Sequence, residues 1–256
     1  MKKKIIIFGD LPIATKVAKF ISEYDDVELS SIVIGNGEVN NNDPWDDELL
    51  VDYANANRVK IKTLSEISGS NEEYDLGISC RFSKIIKKDV ISKFSLGIVN
   101  FHGGLLPEFG GLYSVVHTIL LGSNIGGGTL HWINEGIDTG NVIKRCEFEV
   151  SEKDDAYDLF VKTQYALLEG FKEVFDEILI GKSKSMSIEE LVSKGYIKRY
   201  FDRNSLTGKR YIEFDDLNTK KSIDIIRAFS FLDYPSAYTE ICGTPINLRY
   251  KKNDAN

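Results

Sequence analysis

Asn100 and His102 stand two residues apart at the end of the run Ile98-Val99-Asn100-Phe101-His102. A strand turns alternate side chains to one face, so the amide and the imidazole point the same way. Glycines 103, 104, 110 and 111 follow, with Leu105-Leu106-Pro107 among them. Glycine lets the backbone approach a ligand closely. Asp138 sits in a second turn, Glu135-Gly136-Ile137-Asp138-Thr139-Gly140, just after a strand-like run ending at Ile133. An amide can donate a hydrogen bond to a developing oxyanion. An imidazole, expected here to be partly exposed in a cleft, can move a proton near neutral pH. A carboxylate can fix the imidazole tautomer and stabilise its charged form. The three side chains could form one site.

Other chemistries have less support. His117 lies on an expected helix and reads as a surface or helix-packing residue. His131 lies mid-strand and reads as structural or supporting. Three dispersed histidines and the scattered Cys80, Cys146 and Cys242 lack metal-ligand spacing, so no metal is expected. Gly9-Asp10-Leu11-Pro12 is not a dinucleotide fingerprint, and neither a P-loop nor a GxSxG elbow is present. Gly126-Gly127-Gly128 could cradle a phosphate but reads better as a flexible turn.

The elements that must position these groups follow from pattern. Lys2 to Phe8, Val27 to Ile34, Asp75 to Ser79 and Gly97 to Phe101 read as strands. Between them lie helical or polar stretches: an amphipathic run through Ala14, Val17, Ala18 and Ile21, a loop over Gly35 to Asp47, a helix over Glu48 to Asn57, and a short helix from Val90. This alternation implies an α/β fold with a doubly wound, mostly parallel sheet whose ligands sit at the carboxyl ends of the strands. Ser114 to Leu121 reads as a helix, Thr129 to Ile133 and Val142 to Val150 as strands, and Asp155 to Ile180 as the longest helix, closed by Gly181. After Gly181 a polar stretch suggests a linker. Residues 1–185 are expected to form one domain. Residues 186–256 are expected to form a small α+β module with a hairpin turning at Cys242-Gly243. The chain's 256 residues suffice for a real core without disulfides. Three unpaired cysteines fit a reducing cytoplasm. The net charge of −7 speaks against a nucleic-acid partner, and no apolar run approaches the length of a membrane span. Met1-Lys2-Lys3-Lys4 is followed by too short an apolar stretch for a signal peptide.

At Asn100-x-His102, the Leu-Leu-Pro run and the turn through Asp138, the chain resembles the folate-dependent formyltransferase family, over about residues 1 to 180. The resemblance implies N10-formyltetrahydrofolate as cosubstrate and a primary amine as acceptor, with no covalent enzyme intermediate. Asn100 would hold the oxyanion, His102 would accept the amine proton or help to stabilise the tetrahedral intermediate, and Asp138 would orient and charge-balance His102. Phe82, Ser83, Lys84, Ile85 and Ile86 correspond to the segment that lines the pterin pocket, together with Asp138. Gly103, Gly104, Gly110 and Tyr113 are the expected substrate contacts. Gly110 departs from many members, which carry a basic residue there. The stretches Ile226 to Phe231 and Tyr234 to Tyr238 are similar to the tails of sugar-nucleotide N-formyltransferases, which help to form dimers and frame the substrate. Packing is the expected role of Phe229, Phe231 and Tyr234 themselves. The expected acceptor is therefore a nucleotide-linked amino-deoxysugar, a GDP- or dTDP-linked 4-amino-4,6-dideoxyhexose, on a route to O-antigen or another surface polysaccharide. The expected assembly is a homodimer, without nucleic acid or membrane insertion. Methionyl-tRNA enzymes of the family carry a larger basic tail than the roughly 70 residues here.

Overall fold

The structure is a computed structural model that describes residues 2–35 and 42–252. Part of the expected Gly35 to Asp47 loop lies outside them. The chain opens on β1 (Lys3–Gly9), α1 (Pro12–Ile21) and β2 (Val27–Val33). Ile5, Ile6, Ile7 and Phe8 are fully buried, as an unbroken apolar run demands of a strand covered on both faces. α2 (Leu50–Ala56), β3 (Lys60–Ile61), α3 (Leu64–Gly69), β4 (Leu76–Cys80), α4 (Lys88–Ile91) and β5 (Ile98–His102) complete the parallel half. Sequence reading missed α3. Its signal was the capping box, in which Thr63 accepts from the Glu66 amide and Glu66 reaches back to Thr63.

After β5 come the two-residue β6 (Gly110–Gly111), α5 (Ser114–Leu120), β7 (Ile125–Trp132), β8 (Val142–Glu149) and α6 (Ala156–Leu179). The seven-stranded sheet runs β3-β2-β1-β4-β5-β7-β8. It is parallel through β5, while β7 pairs antiparallel with β5 and β8 antiparallel with β7. The doubly wound, mostly parallel sheet is thus observed.

The triple glycine is neither a flexible turn nor a phosphate cradle. It lies inside β7, where α6 crosses so closely that a Cβ on Gly128 would sit 2.5 Å from Leu167 Cγ. Glycine is used here for helix-on-sheet approach.

The remaining chain holds α7 (Ile188–Ser193), β9 (Tyr200–Phe201), α8 (Lys220–Ala228), β10 (Ala237–Ile241) and β11 (Thr244–Leu248). β10 and β11 form the expected antiparallel hairpin. Its turn residues Cys242 and Gly243 both have positive φ, 49° and 74°, as a right-twisted two-residue hairpin loop requires. Ile212, Ala228, Phe229 and Ala237 share a buried cluster with Ile119, Ala156 and Leu159. Phe231 meets Tyr157, Phe160 and Tyr234 edge-on, so these aromatic rings pack the tail onto α6, as the sequence suggests. No helix among the described residues is long and apolar enough to cross a membrane.

Candidate active site

The end of β5 places Asn100 and His102 on one face, and the turn after β7 brings Asp138 to them. His102 Nδ1 lies 3.5 Å from Asp138 Oδ1. His102 is 7% exposed, against the expectation of partial exposure. The covering chain is the stretch Phe109 to Gly111. It does more than cover: the Phe109 carbonyl lies 2.8 Å from His102 Nε2, and the Gly111 amide donates to Asp138 Oδ2 at 2.7 Å. A carbonyl can only accept, so Nε2 carries a proton and donates it. In the neutral ring Nδ1 is then a lone pair facing a carboxylate. Two acceptors at 3.5 Å are a receptacle for a proton, and a proton taken up on Nδ1 lands beside the Asp138 charge.

His131, read from sequence as structural or supporting, joins the site directly. β5 and β7 pair in a register that sets Asn100 opposite His131. The Asn100 Nδ2 amide lies 3.1 Å from His131 Nε2, while His131 Nδ1 lies 2.9 Å from the Trp132 carbonyl. His131 Nδ1–H donates to the Trp132 carbonyl, so Nε2 accepts from Asn100. Burial, and then the charge of His102, push the His131 imidazolium down to about 4, against the opposing pull of Asp138 and the Trp132 carbonyl. His131 is therefore neutral at pH 7, and its 3.7 Å approach to Asp138 is no ion pair. The ring instead fixes the Asn100 amide. Among the described residues nothing else bonds that amide, so one of its N–H groups remains available.

The candidate contact residues divide. Gly103 has open space where a Cβ would stand, and Tyr113, at the mouth of α5, is 44% exposed with φ of 61°. Both can meet a ligand. Gly104 and Gly110 lie tight against the chain itself. A Cβ on Gly104 would lie 2.6 Å from the Phe109 carbonyl, and one on Gly110 3.2 Å from the Arg199 carbonyl. These glycines make room for the chain's own backbone. Phe82 to Ile86 runs as irregular chain after β4, with Phe82 packed edge-on against Phe8. Its backbone makes no hydrogen bond to the backbone of another described residue. Ile85 is 68% exposed and Ile86 is buried. A strip with unspent backbone donors and acceptors beside an apolar side chain suits a flat heteroaromatic ring.

His117, on α5, is 1% exposed, so the surface alternative fails. Its ring stacks on Phe201 at 3.7 Å and 11°, and its Nε2 lies 2.9 Å from Ser205 Oγ. Burial, aided by Lys209, pushes it down to about 4. Two histidines thus stay neutral in the native state over a range where the unfolded chain, near the ordinary value of 6.5, takes up protons. Stability is full above about pH 6.5 and falls as pH drops toward 4, each group adding up to about 1.4 kcal/mol per pH unit. Urea unfolding between pH 7 and 4.5 should show this slope. His117→Phe, which keeps a stacking ring, should remove one proton's share of it. An unchanged slope would mean that His117 already charges in the native state.

The sheet thus gathers an amide, an imidazole and a carboxylate at its strand ends. Residues 42–174 match the Formyl transferase family, and the chain belongs to it. A methionyl-tRNA formyltransferase of Elusimicrobium minutum is 32% identical over 172 residues, which is 62% of this chain and 49% of that relative. The chain thus spans about half of that relative's length. Among solved structures, an N-formyltransferase from Helicobacter canadensis, in complex with folinic acid and dTDP-3-aminofucose, superposes with a TM-score of 0.76 at 25% identity, covering 96% of this chain and 86% of that one. A 4-N formyltransferase from Francisella tularensis gives 0.76 at 22% identity, covering 98% and 99%, and shows the fold alone.

Proposed function

We propose that the chain moves the formyl group of N10-formyltetrahydrofolate to the primary amine of a nucleotide-linked amino-deoxysugar. The observation that carries this reading is the proton receptacle between His102 Nδ1 and Asp138 Oδ1, beside an amide held ready by His131. A primary amine reaches neutral water as an ammonium and must shed a proton before it can attack. His102 Nδ1 takes that proton, and Asp138 balances the charge. The amine nitrogen then bonds to the formyl carbon, and the carbonyl electrons move onto oxygen, where the free N–H of Asn100 donates. Collapse breaks the bond to N10 of the folate. N10 takes a proton originating on the amine, leaving a formamide and tetrahydrofolate. Phe82 to Ile86 would hold the pterin, and Gly103 and Tyr113 would meet the acceptor.

Coverage of 96% of the chain by the N-formyltransferase that is in complex with dTDP-3-aminofucose supports a sugar acceptor. The curated relative's name favours methionyl-tRNA, which the net charge of −7 opposes. The reading includes a cytoplasmic homodimer with residues 186–256 as the framing module, on a route to surface polysaccharide. The decisive assay offers N10-formyltetrahydrofolate with GDP-, dTDP- and UDP-linked amino sugars and follows tetrahydrofolate and product mass. Turnover with one sugar is the expected result. Formylation of charged initiator tRNA alone, or formate release without an acceptor, would overturn the sugar reading.

His131→Phe should lower kcat roughly ten- to a hundredfold with KM little changed, because Asn100 loses the partner that aims it. Steady-state kinetics with the preferred sugar checks this. An unchanged kcat would show that Asn100 is oriented without His131.

A further inference from the structure

The groups that could move a proton are held by backbone, and that backbone is itself held by a distant piece of chain. Phe109 O and Gly111 N supply the hydrogen bonds to His102 and Asp138. β6, which contains Gly111, pairs in parallel with β9, Gly110 opposite Tyr200 and Gly111 opposite Phe201. The Leu112 amide donates to the Phe201 carbonyl at 2.8 Å, and the Arg199 amide to the Pro107 carbonyl at 3.0 Å. Gly111 adopts φ of 87°, and a Cβ there would lie 2.2 Å from Phe201 O. The direction of the Gly111 amide, and so its aim at Asp138, is set by this close pairing.

β9 has only two residues, too short to persist by backbone pairing alone. Its anchor is the Phe201 ring, stacked on the buried His117 at 3.7 Å and on Phe109 at 6.4 Å. At the ring edge, Ser205 Oγ lies 2.9 Å from His117 Nε2. On the opposite flank of the loop, Arg145 binds the Leu106 carbonyl and both carboxylate oxygens of Glu108. That flank ties down Leu106 and Glu108, whereas β9 and the adjoining Arg199 pair with the chain at Pro107 and from Gly110 to Leu112.

We propose that Phe201 is a positioning residue. Seated on His117, it clamps β9 against β6 and thereby sets the Gly111 amide that holds Asp138 in register with His102. The fold positions this pair through chain some 60 residues downstream of Asp138. The consequence for turnover rests on the formyl-transfer reading, but the clamp itself does not.

The test uses the full chain carrying Phe201→Ala, Phe201→Leu and Phe201→Tyr. Amide hydrogen exchange at Gly111, read by NMR without any substrate, reports the clamp. In Phe201→Ala the Gly111 amide should exchange at least about tenfold faster, as expected when a short pairing opens locally. Phe201→Leu keeps apolar bulk without the ring, so it should fold even if the alanine variant does not, and it should still speed exchange. Phe201→Tyr should restore protection. In parallel, kcat should fall roughly ten- to a hundredfold in the leucine variant with KM for both substrates nearly unchanged, and recover in the tyrosine variant. Wild-type protection at Gly111 in Phe201→Leu would overturn the proposal, as would faster exchange with no loss of kcat in an active enzyme. If the wild-type chain formylates no amine, the functional reading fails while the exchange comparison still decides the clamp.

Discussion

Asp138→Asn should cost about a thousandfold in kcat while the fold survives. The asparagine is nearly isosteric, and its carbonyl oxygen can still accept from the Gly111 amide, which reaches Asp138 Oδ2 at 2.7 Å. The change falls on the other oxygen. Where Asp138 Oδ1 faces His102 Nδ1 at 3.5 Å, an NH2 group would donate into the Nδ1 lone pair. The site would lose its negative charge and have its proton acceptor blocked, because Nε2 is already committed to the Phe109 carbonyl. Steady-state rates over a range of pH, with a thermal midpoint as a control for folding, check this. A variant within tenfold of wild type would show that the carboxylate does not assist the imidazole.

The second large effect is expected from Asn100→Ala, a loss of roughly a hundred- to a thousandfold in kcat. Asn100 belongs to the sheet's last parallel strand, and its amide is held at 3.1 Å by a neutral histidine. A preorganised donor loses little by reorienting when charge develops on the formyl oxygen, and truncation leaves that charge without its partner. Substrate binding should change far less than turnover, since the formamide oxygen of the ground state carries little charge. A comparable rise in KM with kcat preserved would instead make Asn100 a binding group. The two substitutions act at one centre, so their effects should not add.

Asn100 and His102 were legible because they alternate with apolar residues at the end of a strand-like run, and Asp138 because it sits in a turn bounded by glycines. His131 was visible as a residue but not as a participant. Its contact with Asn100 depends on β5 and β7 being antiparallel neighbours across 31 residues, and sequence periodicity carries no register between strands. Gly104 and Gly110 were recognised as sites of close approach and the 126–128 run as a flexible turn, but what lies against each is the chain's own backbone or a helix. The small helices α3 and α7 lacked an apolar stripe long enough to register, though Thr63 with Glu66 and Ser187 with Glu190 marked their starts.

What the sequence by itself determined is the class of sheet and the three side chains that carry the proposed chemistry, since burial of a parallel strand and the alternation of its residues are local consequences of composition. What only the tertiary structure decided is how those side chains are held. The partners of His102 and Asp138 are a carbonyl at residue 109 and an amide at residue 111, a backbone acceptor that every residue offers and a donor that every residue but proline offers. Only the folded path of the chain, pressed into place by Phe201 on His117, selects which of them meet the site.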